Sequence, residues 1–95
     1  MAGTQDFVAK APLNLVYVAD TTRMKGATQE DQTLYSGADT GFIGQNVYLF
    51  CASEGLATVV RGSVDRKALA VALKLSDKKK ITLAQTVGYP LAMGR

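Results

Sequence analysis

The predicted order of elements, strand, loop, long helix, strand, short helix, strand, places this chain among the α+β or α/β folds. Three observations carry that prediction. Leu13 to Ala19 (LNLVYVA) and Ile81 to Val87 (ITLAQTV) are short β-prone runs near the two ends of the chain. Ser36 to Gly62 reads as an apolar helix running directly into another short strand. There is neither an internal repeat nor a low-complexity segment to suggest an array or a linker.

Taken in order, Met1 to Lys10 is small and polar, with Phe7 and Val8 as its only sizeable apolar residues. Pro12 restricts Ala11 to extended geometry, and Leu13 to Ala19 follows with six apolar residues in seven, several of them β-branched or aromatic. This composition predicts a strand buried on both faces, in the middle of a sheet. From Asp20 to Thr33 the chain is polar and reads as an exposed connection, of a length more typical of a functional or partner-covered loop than of a plain link.

Ser36 is the predicted N-cap of the long helix, with Asp39 three residues on as a carboxylate variant of the capping box. Gly55 stands just past the last periodic residue, where a left-handed C′ is wanted. The helix so bounded has about five turns. Phe42, Ile43, Val47, Tyr48, Leu49, Phe50, Cys51 and Ala52 go most of the way round it, with no charge between Asp39 and Glu54. A helix apolar on every side is a buried one. Gly37, Gly41 and Gly44 each cost up to ~1 kcal/mol of helix propensity, which implies close approach of another backbone, helix or ring. The alternative is a loop as far as Gly44 with a shorter helix after it. Leu56 to Val60 then forms a short strand, ended by Arg61 and Gly62. Ser63 or Asp65 caps a second helix, Arg66 to Leu75, with an amphipathic stripe. Ser76 to Lys80 is a polar turn before the last strand, which Gly88, Tyr89 and Pro90 close.

A chain of 95 residues is one small domain that buries roughly 60 to 65% of its unfolded surface. It has little room to enclose a long helix that is apolar all round, so a partner chain is implied. The net charge of +3 comes from 11 basic and 8 acidic residues, mostly interspersed. Lys78 to Lys80 is the only basic run, and without interleaved aromatics it reads as a solvated loop and not as a nucleic-acid contact. Cys51 is alone, which excludes an internal disulfide and reads as an inert core thiol. No signal-peptide pattern and no apolar run near the membrane-spanning length is present, so the expectation is a soluble cytoplasmic protein without a membrane partner.

The sequence contains no histidine. That excludes, within this chain, a Ser/His/Asp or Cys/His nucleophilic system, a histidine metal site and a histidine general base. The acidic residues have no spacing that forces a carboxylate pair together. Gly37, Gly41 and Gly44 match neither G-x-G-x-x-G nor G-x-x-x-x-G-K-[ST], so packing explains them better than phosphate binding. The remaining candidate is Val60 to Ser63, where a strand ends at Arg61 and Gly62 before a helix. Exposed backbone N–H groups there can meet an electron-rich ligand atom, and Gly62 would let a flat ring come close.

Asp39, Thr40, Gly41, Gln45, Asn46, Leu49, Ala52, Gly55 and Leu56 resemble the D-x-G, Q-N, L-x-x-A, G-L series of the nitroreductase family, FMN-dependent enzymes that reduce nitro groups and quinones. Gly88, Tyr89 and Pro90 resemble that family's strand-ending G-x-P, and Ala11 to Ala19 its A-P-x-x-L-V-x-V-A strand. The agreement runs from Phe7 to Pro90. Family members are about twice as long, so residues 1–95 resemble a single nitroreductase-like domain represented by its C-terminal half. The Arg- and Ser-rich N-terminal segment that holds the flavin ribityl and phosphate groups has no counterpart.

This resemblance implies an α+β, three-layer α/β/α sandwich in partial form, with a central buried helix and about three strands. It implies an intertwined homodimer, joined through the helix around Gly41 to Ala52, with FMN at the interface. Val60, Arg61, Gly62 and Ser63 fall where family members pass backbone along the isoalloxazine and donate an amide to N5. Arg95 falls near the place of a basic residue that reaches the FMN phosphate. The resemblance implies neither a catalytic side chain nor a metal: flavin takes a hydride from NAD(P)H and passes electrons to a small-molecule nitro, quinone or similar acceptor. Two other readings remain open, a flavin-free structural or dimerisation remnant, and a small nucleic-acid binder resting only on the pI of about 9.2 and the lysine run.

Overall fold

The computed structural model describes residues 11–90, so Arg95 and the Phe7 and Val8 pair lie outside the described residues. Within them the fold is α+β: a three-stranded antiparallel sheet with two α-helices. Strand β1 is Leu13–Asp20, helix α1 is Gln29–Glu54, strand β2 is Ala57–Arg61, helix α2 is Arg66–Ala72, and strand β3 is Lys79–Gly88.

The strand order is β1-β3-β2, which makes β3 the central strand and β1 an edge strand among the described residues. This reverses the expectation that β1 lies in the middle. None of its residues is fully buried, and Leu13 and Val18 are exposed. The strand most enclosed is β3, where Ile81, Ala84, Gln85, Thr86 and Val87 are all buried. Apolar content marks a strand that would gain from cover on both faces, but neither that cover nor the strand's hydrogen-bonded neighbours are encoded in its own periodicity. Strand β3 begins earlier than expected, at Lys79, so two of the three lysines belong to it and not to a free turn. Between Val16 and Val18 the register shifts, so that Tyr17 alone opposes Thr82 and Leu83 in a β-bulge.

After β1, Asp20 caps a 3-10 turn: its Oδ1 accepts from the Thr22 hydroxyl at 2.6 Å and the Thr22 N–H at 3.1 Å. Those two bonds hold the Asp20 carboxyl below its usual range, the hydroxyl contributing most. Helix α1 starts a full two turns before the predicted Ser36. Thr28 is its N-cap, with Oγ1 accepting from Asp31 N–H at 3.1 Å, and Glu30 and Asp31 occupy the positive end of the helix dipole. Nothing between Gln29 and Tyr35 resists helix, since there is no proline or glycine in that stretch. The loop alternative up to Gly44 is thereby excluded. At the far end Gly55 takes φ 72°, and Leu56 N–H donates to the Cys51 carbonyl at 2.8 Å, closing the helix as the sequence predicted.

Helix α2 is shorter than expected, ending at Ala72 with Asp65, not Ser63, as its cap. Lys74 stands in the left-handed position that glycine usually fills, at φ 57°, and Leu75 N–H closes onto the Ala70 carbonyl at 3.0 Å. No helix among the described residues is long and apolar enough to cross a membrane.

The long helix rests on the sheet through a narrow, mostly small and polar stripe: Ser36, Thr40, Gly44 and Cys51 are its buried residues. Thr40 and Thr82 share a hydroxyl hydrogen bond at 2.6 Å, and Gln85 Nε2 donates to the Gly44 carbonyl at 3.4 Å. Its large apolar side chains point the other way, with Phe42 70% and Phe50 60% exposed, and Ile43 and Leu49 more than half so. Burial on every side is therefore not achieved within one copy of the chain. Of the three helix glycines only Gly44 sits at a close approach, and what it approaches is the chain's own sheet. A Cβ there would lie 3.4 Å from Val60 Cγ2 and 3.5 Å from Gln85 Oε1, whereas at Gly37 and Gly41 it would meet nothing within 4 Å.

Gly44→Leu is therefore expected to destabilise the chain itself by about 1–3 kcal/mol through overpacking, read from the urea midpoint. Gly41→Ala in the same chain raises stability by up to ~1 kcal/mol, the glycine penalty of a helix interior. Equal midpoints for the two variants would show that Gly44 does not face the sheet.

Candidate functional site

Among the described residues β2 is an edge strand. Ala57 to Arg61 pair with β3 on one side only, and on the other the Val60 N–H donates to the Tyr48 hydroxyl of α1 at 2.8 Å. Arg61 turns its side chain onto the sheet face opposite α1, because it neighbours Val60 in an alternating strand. There it is 4% exposed, and its Nε donates to Thr86 Oγ1 at 2.8 Å, which in turn donates to Asn14 Oδ1 at 2.8 Å. The guanidinium is thus built into a polar row across all three strands, and what Arg61 offers outward is backbone.

Past Arg61 the chain makes a three-residue turn around Ser63, closed by Val64 N–H donating to the Gly62 carbonyl at 3.0 Å. Gly62 and Ser63 are both exposed. Gly62 is not among the residues with positive φ, and a Cβ there would meet only Leu83 Cδ2, at 3.9 Å. Neither backbone strain nor packing within the described chain asks for glycine at this place. Arg66, the first residue of α2, closes over the turn: Nη1 donates to the Gly62 carbonyl at 3.5 Å, Nε to the Ile81 carbonyl at 3.3 Å and Nη2 to the Thr82 carbonyl at 2.6 Å. The turn is separated from α2 by Val64 and Asp65, so its amides are not those of a helix N-terminus as the sequence suggested.

Leu83 also lines a cavity of about 720 Å³ between the first half of α1 and the start of β3. Thr33, Ser36 and Thr40 line it from the helix, and Lys80 and Thr82 from the strand. Its volume lies in the range of small-molecule and cofactor pockets. Local pattern does not single these residues out, because Ser36 has the chemistry of a cap and Lys80 belongs to a polar run. The recurrence of small hydroxyl residues at positions 36 and 40 was the available signal.

Between helix and sheet lies a polar cluster. Gln85 is wholly buried, accepting at Oε1 from the Tyr17 hydroxyl and donating from Nε2 to Thr58 Oγ1 at 3.1 Å. Burial pushes the Tyr17 hydroxyl above its ordinary pKa of 10.0, with the neighbouring Cys51 and Tyr48 adding to the effect. No cluster of His, Cys, Asp or Glu able to hold a metal occurs among the described residues.

Of the residues singled out from sequence, Val60 and Arg61 end the strand, Gly62 and Ser63 form the turn, and the four are contiguous on one edge. Arg95 lies outside the described residues. Tyr48 and Arg66, which touch this segment from the two sides, were not singled out.

The family model that matches this chain is that of the nitroreductase family, over residues 1–89. Among solved structures, a protein of Ralstonia eutropha JMP134 named as a nitroreductase superimposes with a TM-score of 0.87 at 41% sequence identity. The match covers 97% of this chain and 44% of that one, so this chain spans less than half the length of that relative. No curated protein matches the chain.

The state of Tyr17 can be read directly. Its folded pKa is raised above the unfolded value of 10.0, so the stability that it contributes is complete below that pH and is lost as pH rises through the folded pKa. Tyrosinate absorbance in the native chain is expected to include a component that ionises above pH 10.0 and disappears in Tyr17→Phe. A native titration with every tyrosine ionising at the unfolded value contradicts the burial described here.

Proposed function

The chain belongs to the nitroreductase family, and from that premise we propose that it serves as an FMN-dependent oxidoreductase acting with NAD(P)H on a nitro, quinone or similar acceptor. The observation that carries the reading is Gly62: an exposed glycine with ordinary φ, at a strand end, for which the described chain itself has no steric need. A residue without a side chain at such a place suits the approach of a flat ring from outside. The described residues fit a flavin in that sense, with Val60 to Ser63 supplying backbone against the ring, while the role of Arg95 toward the phosphate rests on the family resemblance alone. Bound FMN would supply hydride acceptance at N5 and electron transfer to the acceptor. The chain's own part is to orient the ring, to offer a backbone N–H toward its reducible edge and to limit water there. A cytoplasmic site of action accords with the supply of NAD(P)H.

A homodimer through the helix around Gly41 to Ala52 belongs to the same proposal. Phe42, Ile43, Leu49 and Phe50 all leave more than half of their surface exposed, and such a surface is the mark of an association face. The second reading, a flavin-free dimerisation module, rests on that exposed apolar helix surface alone.

FMN fluorescence quenching separates these readings. Wild type is expected to bind, and Gly62→Val to lose binding while stability shifts by no more than about 0.5 kcal/mol, because the new side chain has open space apart from Leu83. Lys79→Ala serves as the control with unchanged affinity. Equal affinity in wild type and Gly62→Val would remove the turn from the site, and a wild type that stays colourless in excess FMN leaves the dimerisation module as the function. Association is checked by sedimentation: wild type sediments as a dimer and Phe42→Glu/Phe50→Glu as a monomer. A monomeric wild type would dismiss the helix as an interface.

A further inference from the structure

We infer that Tyr48 and Arg66 are the positioning residues of this site, holding the Val60 to Ser63 segment in one place and one orientation against the ligand. The inference rests on the flavin reading of the turn but concerns residues outside it. Two problems of backbone geometry define their roles.

The first is the edge that β2 presents among the described residues. Its alternate N–H groups point away from β3, and left to water they would leave the strand end loosely located. The Val60 N–H is instead received by the Tyr48 hydroxyl at 2.8 Å. Tyr48 is half-buried on α1, two turns before the helix C-cap. Its ring therefore acts as a strut that sets the distance from the long helix to the residue two before Gly62.

The second is the orientation of the peptide between Gly62 and Ser63. A trans peptide is planar, so its C=O and N–H point in opposite senses. The Gly62 carbonyl is drawn toward Val64 N–H at 3.0 Å and the Arg66 guanidinium at 3.5 Å, and the Ser63 N–H is thereby aimed away from Arg66. The guanidinium is itself anchored, since Nε and Nη2 donate to the Ile81 and Thr82 carbonyls beside the β3 bulge. A planar fork with several donors can span three carbonyls, and a lysine ammonium at the end of a flexible stem cannot hold the same arrangement. Tyr48 thus sets where the segment stands, and Arg66 sets how the peptide between Gly62 and Ser63 lies.

The test uses the whole chain in Tyr48→Phe and Arg66→Lys, read three ways: amide exchange at Val60 and Val64 without flavin, FMN affinity by quenching, and the urea midpoint. Tyr48→Phe is expected to quicken exchange at Val60, and Arg66→Lys at Val64. Each is expected to weaken FMN binding about five- to tenfold, the worth of one hydrogen bond. The reduction potential of bound FMN should shift in Arg66→Lys, which a role confined to stability would not produce. Unchanged exchange at both amides overturns the inference. Quickened exchange with FMN affinity and potential both unaltered, in a chain whose Gly62→Val form no longer binds, also overturns it and leaves the flavin reading intact. A wild type that binds no FMN overturns the flavin reading and the ligand-facing role together, and the exchange data then report only a structural brace.

Discussion

The contact on which the rest of the molecule depends is the seam between the long helix and the sheet. It is made by Ser36, Thr40, Gly44 and Cys51, a row with little bulk. Because Gly44 has no side chain, the helix backbone comes close enough for its carbonyl to take a hydrogen bond from Gln85 at 3.4 Å, and Gln85 in turn is met by Tyr17 and Thr58. A wholly buried amide is costly unless its donors and acceptor are matched. Here the match exists only at this helix–sheet distance, so the polar cluster selects one docking of the two elements as well as supporting it.

Two consequences follow from that seam. With the small residues turned inward, the phenylalanines and leucines of the same helix have nowhere to go but outward, and the helix presents solvent with an apolar surface. The close approach also brings Tyr48 within reach of the β2 edge, so the candidate site is braced by the same contact that forms the core. The brace of the candidate site and the exposed apolar surface are therefore two sides of one helix.

The turn after β2 differs in kind from the seam. It is exposed, owes its shape to one short carbonyl bond and to Arg66, and carries a glycine that the described chain does not require. Arg61 sits one residue away yet is committed to the opposite face, bonded to Thr86. Adjacent residues of a strand thus divide between holding the sheet and facing outward, as alternation demands.

Much of the fold was legible in the sequence because its signals are local. Gly55 marks the helix end whatever surrounds it, since the left-handed C′ position is a property of a few consecutive residues. Pro12 and the β-branched runs place the strands, the helix and its apolar content are plain, and the D-x-G, Q-N and G-x-P residues carry the family resemblance that the nitroreductase match bears out. Tertiary structure alone decided what depends on distant partners. Ser36 looked like a cap because its short-range chemistry suits one, but Thr28 took that role and left Ser36 buried on the sheet. Strand order could not be read, because β1 and β3 are both apolar and only their pairing makes β3 central. Gly44 could not be told from Gly37 and Gly41 until the sheet lay against one of them. Tyr48 and Arg66 could not be linked to the turn for the same reason: a hydroxyl that meets an amide twelve residues away and a guanidinium that bridges the turn to two carbonyls of β3 are set by packing, which no local pattern encodes.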